Sequence, residues 1–372
     1  MRRIIFFIAV SAVCSICALA QSLESGFYRV SNLKTERYVY VTDNKGSIVI
    51  QAGTADMGAI ELWADHSRAL YDPASVIYAE YISSSSGGAK YDLKAQGTGV
   101  YEILKYYVFA ACSKGSYQVY AEGKYLSDDN KFLTNPQGQM GSNNTGDYRR
   151  WVVSKIDNEN EFFGIKPTVT ANGRYFHPFY AGFGFSLLGE GMKVWVVNSV
   201  YNDVVEMVPF AGDTVPALTP VVIECGSESV DLNKLDIINI NGSIAQTNKL
   251  KGVLFDNVFR KNCVVVDDSK MRVLGTMPDG NLGYVLSDVT PHYYDGKRHL
   301  AANQSYIEVP ANSADNLRVV FLEDAVEDIV PDNGTKAVYT IWGARIGDYI
   351  PSQIEELPAG IYIIDNRKVI IR

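Results

Sequence analysis

The feature that most constrains this chain is its rhythm of short apolar runs cut by turn formers. Tyr38-Val39-Tyr40-Val41 runs into Asp43-Asn44-Lys45-Gly46, and Lys193-Val194-Trp195-Val196-Val197 runs into Asn198. Such runs have strand length, are rich in β-branched and aromatic residues, and are bounded by Gly, Asn or Asp. The pattern recurs over most of the chain with little helical periodicity, which predicts an all-β protein. Residues 323–329 offer a helical turn or two, which Pro331 would stop. Composition agrees: 24 tyrosines stand against 4 histidines, and tyrosine favours pleated, half-buried surfaces. With 372 residues the chain exceeds what one core serves, so more than one domain is expected.

The first twenty residues read as an export leader. Met1-Arg2-Arg3 is a basic start, residues 4–13 are apolar, and Ala18-Leu19-Ala20 supplies small residues at a cleavage site before Gln21. The run is shorter than a bilayer span, and no later segment is long and apolar enough to cross. An exported protein is therefore expected, in the periplasm, at the outer surface or outside the cell. The formal charge is −8, and loss of Arg2 and Arg3 leaves 32 basic residues against 42 acidic ones, or −10. A chain so acidic has no electrostatic footprint for nucleic acid. Cleavage would leave Cys112, Cys225 and Cys263. The first two sit in apolar surroundings as small core residues do, and Cys225 with Cys263 is the one pair worth testing for a disulfide.

Three segments follow the leader: residues 21–157, residues 158–322, and a small apolar piece at 337–372 behind an acidic, breaker-closed linker at 323–336. Within the first, Arg37-Tyr38-Val39-Tyr40, Lys90-Tyr91-Asp92-Leu93 and Lys124-Tyr125-Leu126-Ser127 each set a basic residue and a tyrosine before a short strand. Two of these units close on tryptophan, at Glu61-Leu62-Trp63 and Arg149-Arg150-Trp151. Three Tyr-led units returning to Trp resemble the β-trefoil of ricin-type lectins, although the Gln of that family's Gln-x-Trp phrase is replaced in both. The resemblance implies a β-trefoil-like binding domain, with a Greek-key sandwich as the rival architecture.

The second segment carries Tyr175-Phe176-His177-Pro178-Phe179-Tyr180, then Asp213-Thr214-Val215-Pro216, then Leu300-Ala301-Ala302-Asn303-Gln304-Ser305-Tyr306. In order and spacing it resembles a β-rich module of exported Bacteroidota proteins, which implies a β-sandwich without chemistry of its own. Val221-Val222-Ile223 reads as a strand buried on both faces. At the end, Val338-Tyr339-Thr340-Ile341-Trp342-Gly343-Ala344-Arg345 and Leu357-Pro358-Ala359-Gly360-Ile361-Tyr362 resemble the C-terminal sorting domain of type IX secretion substrates. That resemblance implies onward sorting; a plain β-hairpin packed on the sandwich is the alternative.

Catalytic motifs do not emerge. No Gly-x-Ser-x-Gly elbow surrounds a serine, and His66, His177, His292 and His299 lie in turn or aromatic contexts. Neither a His-Glu-x-x-His nor a phosphate-binding loop is present, and no cofactor or metal is expected. Aromatic and polar surface remains, the material of sugar recognition. The trefoil resemblance places candidate ligand-binding residues at Asp43, Asn44 and Trp63 in the first unit and at Asp128, Asn130 and Trp151 in the last. The tryptophans have core packing as their alternative role, and the acids can simply hold turns. The expected function is non-enzymatic binding of a glycan or cell-surface partner. A protein-interaction or structural module, and a hydrolase with an unrecognised site, are the alternatives.

Overall fold

In the computed structural model the described residues are 23–42, 59–63, 66–85, 88–97, 102–112, 115–121, 124–128, 139–141, 146–159, 161–201, 203–254, 263–292, 295–322, 336–354, 356–364 and 367–371. The leader, the expected turn at 323–329, and Asp43, Asn44 and Asn130 lie outside them. The described residues are mostly strand and turn, with two single-turn α-helices at His66–Ala69 and Pro351–Ile354 and three 3-10 turns at Pro73–Ser75, Asp147–Arg149 and Val230–Leu232.

The first ten strands are β1 (Gly26–Asn32), β2 (Tyr38–Thr42), β3 (Ala59–Trp63), β4 (Ile77–Ser85) and β5 (Gly88–Ala95), then β6 (Glu102–Ala111), β7 (Tyr117–Ala121), β8 (Lys124–Ser127), β9 (Gln139–Gly141) and β10 (Trp151–Lys155). β1, β4, β5, β6, β7 and β10 pair in an antiparallel ring that closes between β10 and β1, so the barrel has no free edge. The period of two explains the strands: along β5 every second residue is buried, and Ala89, Tyr91, Leu93 and Ala95 point into the barrel core. Tyr28 and Val30 meet them there, and Trp151 seals the core, its indole N–H donating to the Leu126 carbonyl at 3.0 Å.

Hairpins extend from this ring. β2–β3 lies between β1 and β4, and β8–β9 lies between β7 and β10. β5 passes to β6 through residues 96–101, too short a stretch for a hairpin. The barrel is thus trefoil-like with two of three hairpins. The tyrosine repeat is corrected accordingly: Tyr38 and Tyr125 belong to hairpin strands, whereas Tyr91 faces inward from a barrel strand. The three units share a sequence rhythm without sharing a structural position.

The second module contains β11 (Phe163–Gly164), β12 (Val169–Ala171), β13 (Arg174–Phe179), β14 (Gly184–Leu187), β15 (Lys193–Tyr201), β16 (Val204–Pro209) and β17 (Val221–Cys225). It continues with β18 (Lys234–Ile238), β19 (Leu250–Val253), β20 (Met271–Thr276), β21 (Leu282–Val285), β22 (Gln304–Glu308) and β23 (Leu317–Phe321). Ten of these form one sheet in the order β12-β13-β17-β15-β16-β23-β21-β20-β22-β19, all antiparallel except β16 with β23. The sheet rolls until β20 meets β12, where the Thr276 hydroxyl donates to the Thr170 carbonyl at 2.8 Å. A three-stranded sheet, β11-β18-β14, covers the outer face of β13, β17 and β15. Instead of two facing sheets, the module is a rolled sheet with a partial second layer. β17 requires that arrangement: Val222 points into the rolled core, Val221 and Ile223 point under the small sheet, and all three are fully buried.

The last strands, β24 (Lys336–Thr340), β25 (Arg345–Tyr349), β26 (Gly360–Ile364) and β27 (Arg367–Ile371), form an antiparallel sheet around a small core of Val338, Ile354 and Ile364. It touches the second module where the Tyr201 and Trp342 rings meet edge to face at 5.9 Å. Lys368 also turns inward there, and burial pulls its ammonium down to about 8 against the opposing influence of Glu206.

Candidate functional site

The first two modules share a buried interface. Phe27, Val76 and Tyr78, on the outside of the barrel, belong to the same apolar cluster as Phe179, Ala181 and Phe183 of the second module. The Phe27 ring meets Tyr78 edge-on at 5.1 Å and Phe183 at 6.1 Å. Arg29, one residue along β1 from the barrel-facing Tyr28, is buried and donates to the Ala69 carbonyl, the Glu161 carboxylate and the Phe162 carbonyl at 2.8–2.9 Å. The single charge of that guanidinium is met by the Glu161 carboxylate.

Beside this interface lies a pair of buried amides. Asn303 donates to the Gln96 side-chain oxygen at 3.0 Å and to the Tyr180 carbonyl at 2.9 Å, and the Gly182 backbone N–H also donates to Gln96 at 2.9 Å. Both residues have positive φ, 60° at Gln96 and 58° at Asn303, a conformation uncommon for residues with side chains. Such backbone persists where the surroundings over-determine it, and it concentrates at sites of function. A β-carbon on the adjacent Gly97 would come within 2.2 Å of the Gly182 carbonyl oxygen, so only glycine fits this approach.

Next to this amide pair opens a cleft of about 300 Å³. One wall comes from the segment between β3 and β4, with Arg68, Tyr71 and Asp72; the other comes from Lys166, Thr168, His177 and residues 301–304. Arg68 is held by Asp72 at 2.7 Å and lies over the Tyr40 ring at 4.9 Å. Lys166 is exposed, and its ammonium stands 5.0 Å over the Tyr71 ring. The Thr168 hydroxyl and His177 Nδ1 are 3.2 Å apart. Burial lowers the His177 imidazole to about 4, so it is neutral near pH 7. Pro178 fits within β13 because β12 pairs only as far as Phe176, leaving that side of the strand without a ladder.

Of the candidate residues from sequence, Asp128 and Trp151 fall elsewhere. Asp128 is fully buried; both its oxygens face Arg37, with the Nε–Oδ2 contact at 2.9 Å, and the Thr35 hydroxyl donates to it as well. The basic residue that opens the first Tyr-led unit thus pairs with the acid that closes the third. Trp151 is core, and Trp63 ends β3 opposite Tyr38. Neither Asp128 nor Trp151 contributes to the cleft. His66 is exposed and stacks on Tyr38 at 5.1 Å. Cys112, Cys225 and Cys263 form no disulfide, so Cys225 and Cys263 do not pair; burial lifts the Cys225 thiol to about 12. Among the described residues no cluster of three His, Cys, Asp or Glu side chains could hold a metal, and no helix is long and apolar enough to cross a membrane.

The cleft residues had little sequence signature. They come from four separate stretches; His177 stood out as an aromatic-packed side chain, and residues 301–304 fall within the phrase Leu300 to Tyr306 without any mark of a site. Gln96-Gly97 is the nearest to a signal, a turn pair after an alternating strand.

The chain is an all-β protein. No protein-family model matches it, and no curated protein does. Among solved structures a designed threefold-symmetric protein, ThreeFoil, is similar over 35% of this chain and 99% of its own length, at 15% identity and a TM-score of 0.25. That likeness lends the cleft no ligand.

Proposed function

We propose that this is an exported, non-enzymatic binding protein that takes a saccharide in the cleft between the trefoil-like barrel and the second module. The observation that carries the reading is the cleft lining. An aromatic ring at Tyr71, the amide of Gln304 and the Thr168–His177 pair surround a concave space beside the positive-φ backbone of Asn303. Sugars are recognised by this mixture, with C–H faces against an aromatic ring and hydroxyls bonded by fixed polar groups. The leader supports export, and the tail's likeness to a sorting domain supports delivery towards the surface of a Bacteroidota-like bacterium.

The Thr168–His177 contact favours a second reading, a hydrolase. Chemistry argues against it. An imidazole held near 4 is a weak base, and among the described residues no carboxylate reaches its other nitrogen to orient it. The test is a glycan-array screen of the chain from residue 21 to 372, repeated with Tyr71→Ala. Binding that weakens about tenfold in a variant of unchanged melting temperature is expected. Equal binding by the variant, or none by the folded parent, would overturn the cleft as the site. Turnover of any bound glycan that Thr168→Val abolishes would establish the hydrolase instead.

A further inference from the structure

Resting on that reading, we infer that the cleft selects an acidic saccharide, one whose ring carries a carboxylate or sulfate, and that Lys166 and Arg68 receive the anionic group. The lining holds two permanent cations and one acid, Asp72, and that acid is already engaged at 2.7 Å by Arg68. His177 adds no charge, being neutral at ordinary pH. Lys166 has no carboxylate partner among the described residues, and its contact is the Tyr71 ring face. An ammonium over an aromatic ring is placed without being neutralised, so an incoming anion finds it in position.

The surroundings sharpen the contrast. The molecule as a whole carries −8, so general electrostatics repel acidic ligands. A cleft with local positive excess in an acidic protein discriminates at short range, where an anion seated in a partly enclosed space is screened less than one in open solvent. Arg68 is suited to the role by its rigidity. Asp72 and the Tyr40 ring fix the guanidinium before any ligand arrives, which reduces the ordering cost of binding. The amide of Gln304 suits the hydroxyls of the same sugar.

The experiment uses the chain from residue 21 to 372 with trigalacturonic acid, its fully methyl-esterified counterpart, and a sulfated galacto-oligosaccharide, measured by calorimetry. The acid should bind about tenfold tighter than the ester, and Lys166→Gln should remove most of that preference. Raising salt from about 50 mM to about 500 mM should shrink the difference as well. Tighter binding of the sulfated probe than of its unsulfated parent, lost in Lys166→Gln, supports the inference with sulfate as the anion. Equal affinity for acid and ester, with no sulfate preference, overturns the inference while leaving a neutral-saccharide cleft standing. A preference for the acid that Lys166→Gln retains would also overturn it, by placing the anion elsewhere. Failure of every saccharide to bind the folded parent brings down both this inference and the proposed function.

Discussion

At the scale of single residues, two side chains set measurable limits. Asp128 and Arg37 form a fully buried ion pair between the first and third units of the barrel. Removing one partner of such a pair leaves an uncompensated buried charge, at about 3–5 kcal/mol. Asp128→Ala should therefore lower the melting temperature steeply, whereas Asp128→Ala with Arg37→Met should recover much of the loss; thermal denaturation of the two variants decides it. His177 sets a pH limit. Its ordinary value of 6.5 falls to about 4 in the fold, so between those values the unfolded chain takes up a proton that the native state refuses. Stability should fall as pH drops through that window and level off below about 4. The linkage is worth at most about 3 kcal/mol, and less because the ring borders the cleft. The difference in melting temperature between the parent and His177→Gln, followed from pH 7 to pH 4, isolates it. A difference that stays constant across the window would show that the imidazole is not held neutral by the fold.

At the scale of elements, sequence and structure agree where a pattern of two meets a buried face. The alternation of β5 and the doubly buried β17 follow from residue order alone. The missing middle hairpin could not be read this way. Lys90-Tyr91-Asp92-Leu93 has the same rhythm as Lys124-Tyr125-Leu126-Ser127, and only the pairing partners distinguish a barrel strand from a hairpin strand. Asp128 was legible as a polar residue ending a strand, but its partner lies 91 residues away, beyond any local signal. The cleft was illegible for a related reason. Its walls come from stretches that meet only after the two modules dock. The tail is an element with its own small core, joined to the second module by a ring contact and a half-buried lysine. Deleting residues 337–372 should therefore shift the melting temperature of the rest by no more than about 3 °C and leave one sharp transition. A broad or lost transition would make the tail an integral part of the second module.

At the scale of the whole molecule, barrel and second module stand or fall together. A fragment of residues 22–157 would expose Phe27, Val76 and Tyr78, all buried at the junction, and would strip Arg29 of Glu161 and Phe162. Burial of three such side chains contributes about 5 kcal/mol or more. The fragment should melt well below the full chain and bind a hydrophobic dye, while residues 22–322 should behave like the parent. A fragment of residues 22–157 that melts as high as residues 22–322 would show that the interface adds nothing to the barrel's stability.

The turn after β5 carries a further consequence. In a threefold barrel each repeat can present the same face, and three weak contacts on one molecule multiply into avidity. Here the middle repeat offers no hairpin, and its turn is occupied by Gly182 and Asn303. Under the proposed reading, valency gives way to a single site walled by two modules. On that proposal, tight attachment to a repetitive surface would come from many copies of the chain side by side, with a strength that follows their density.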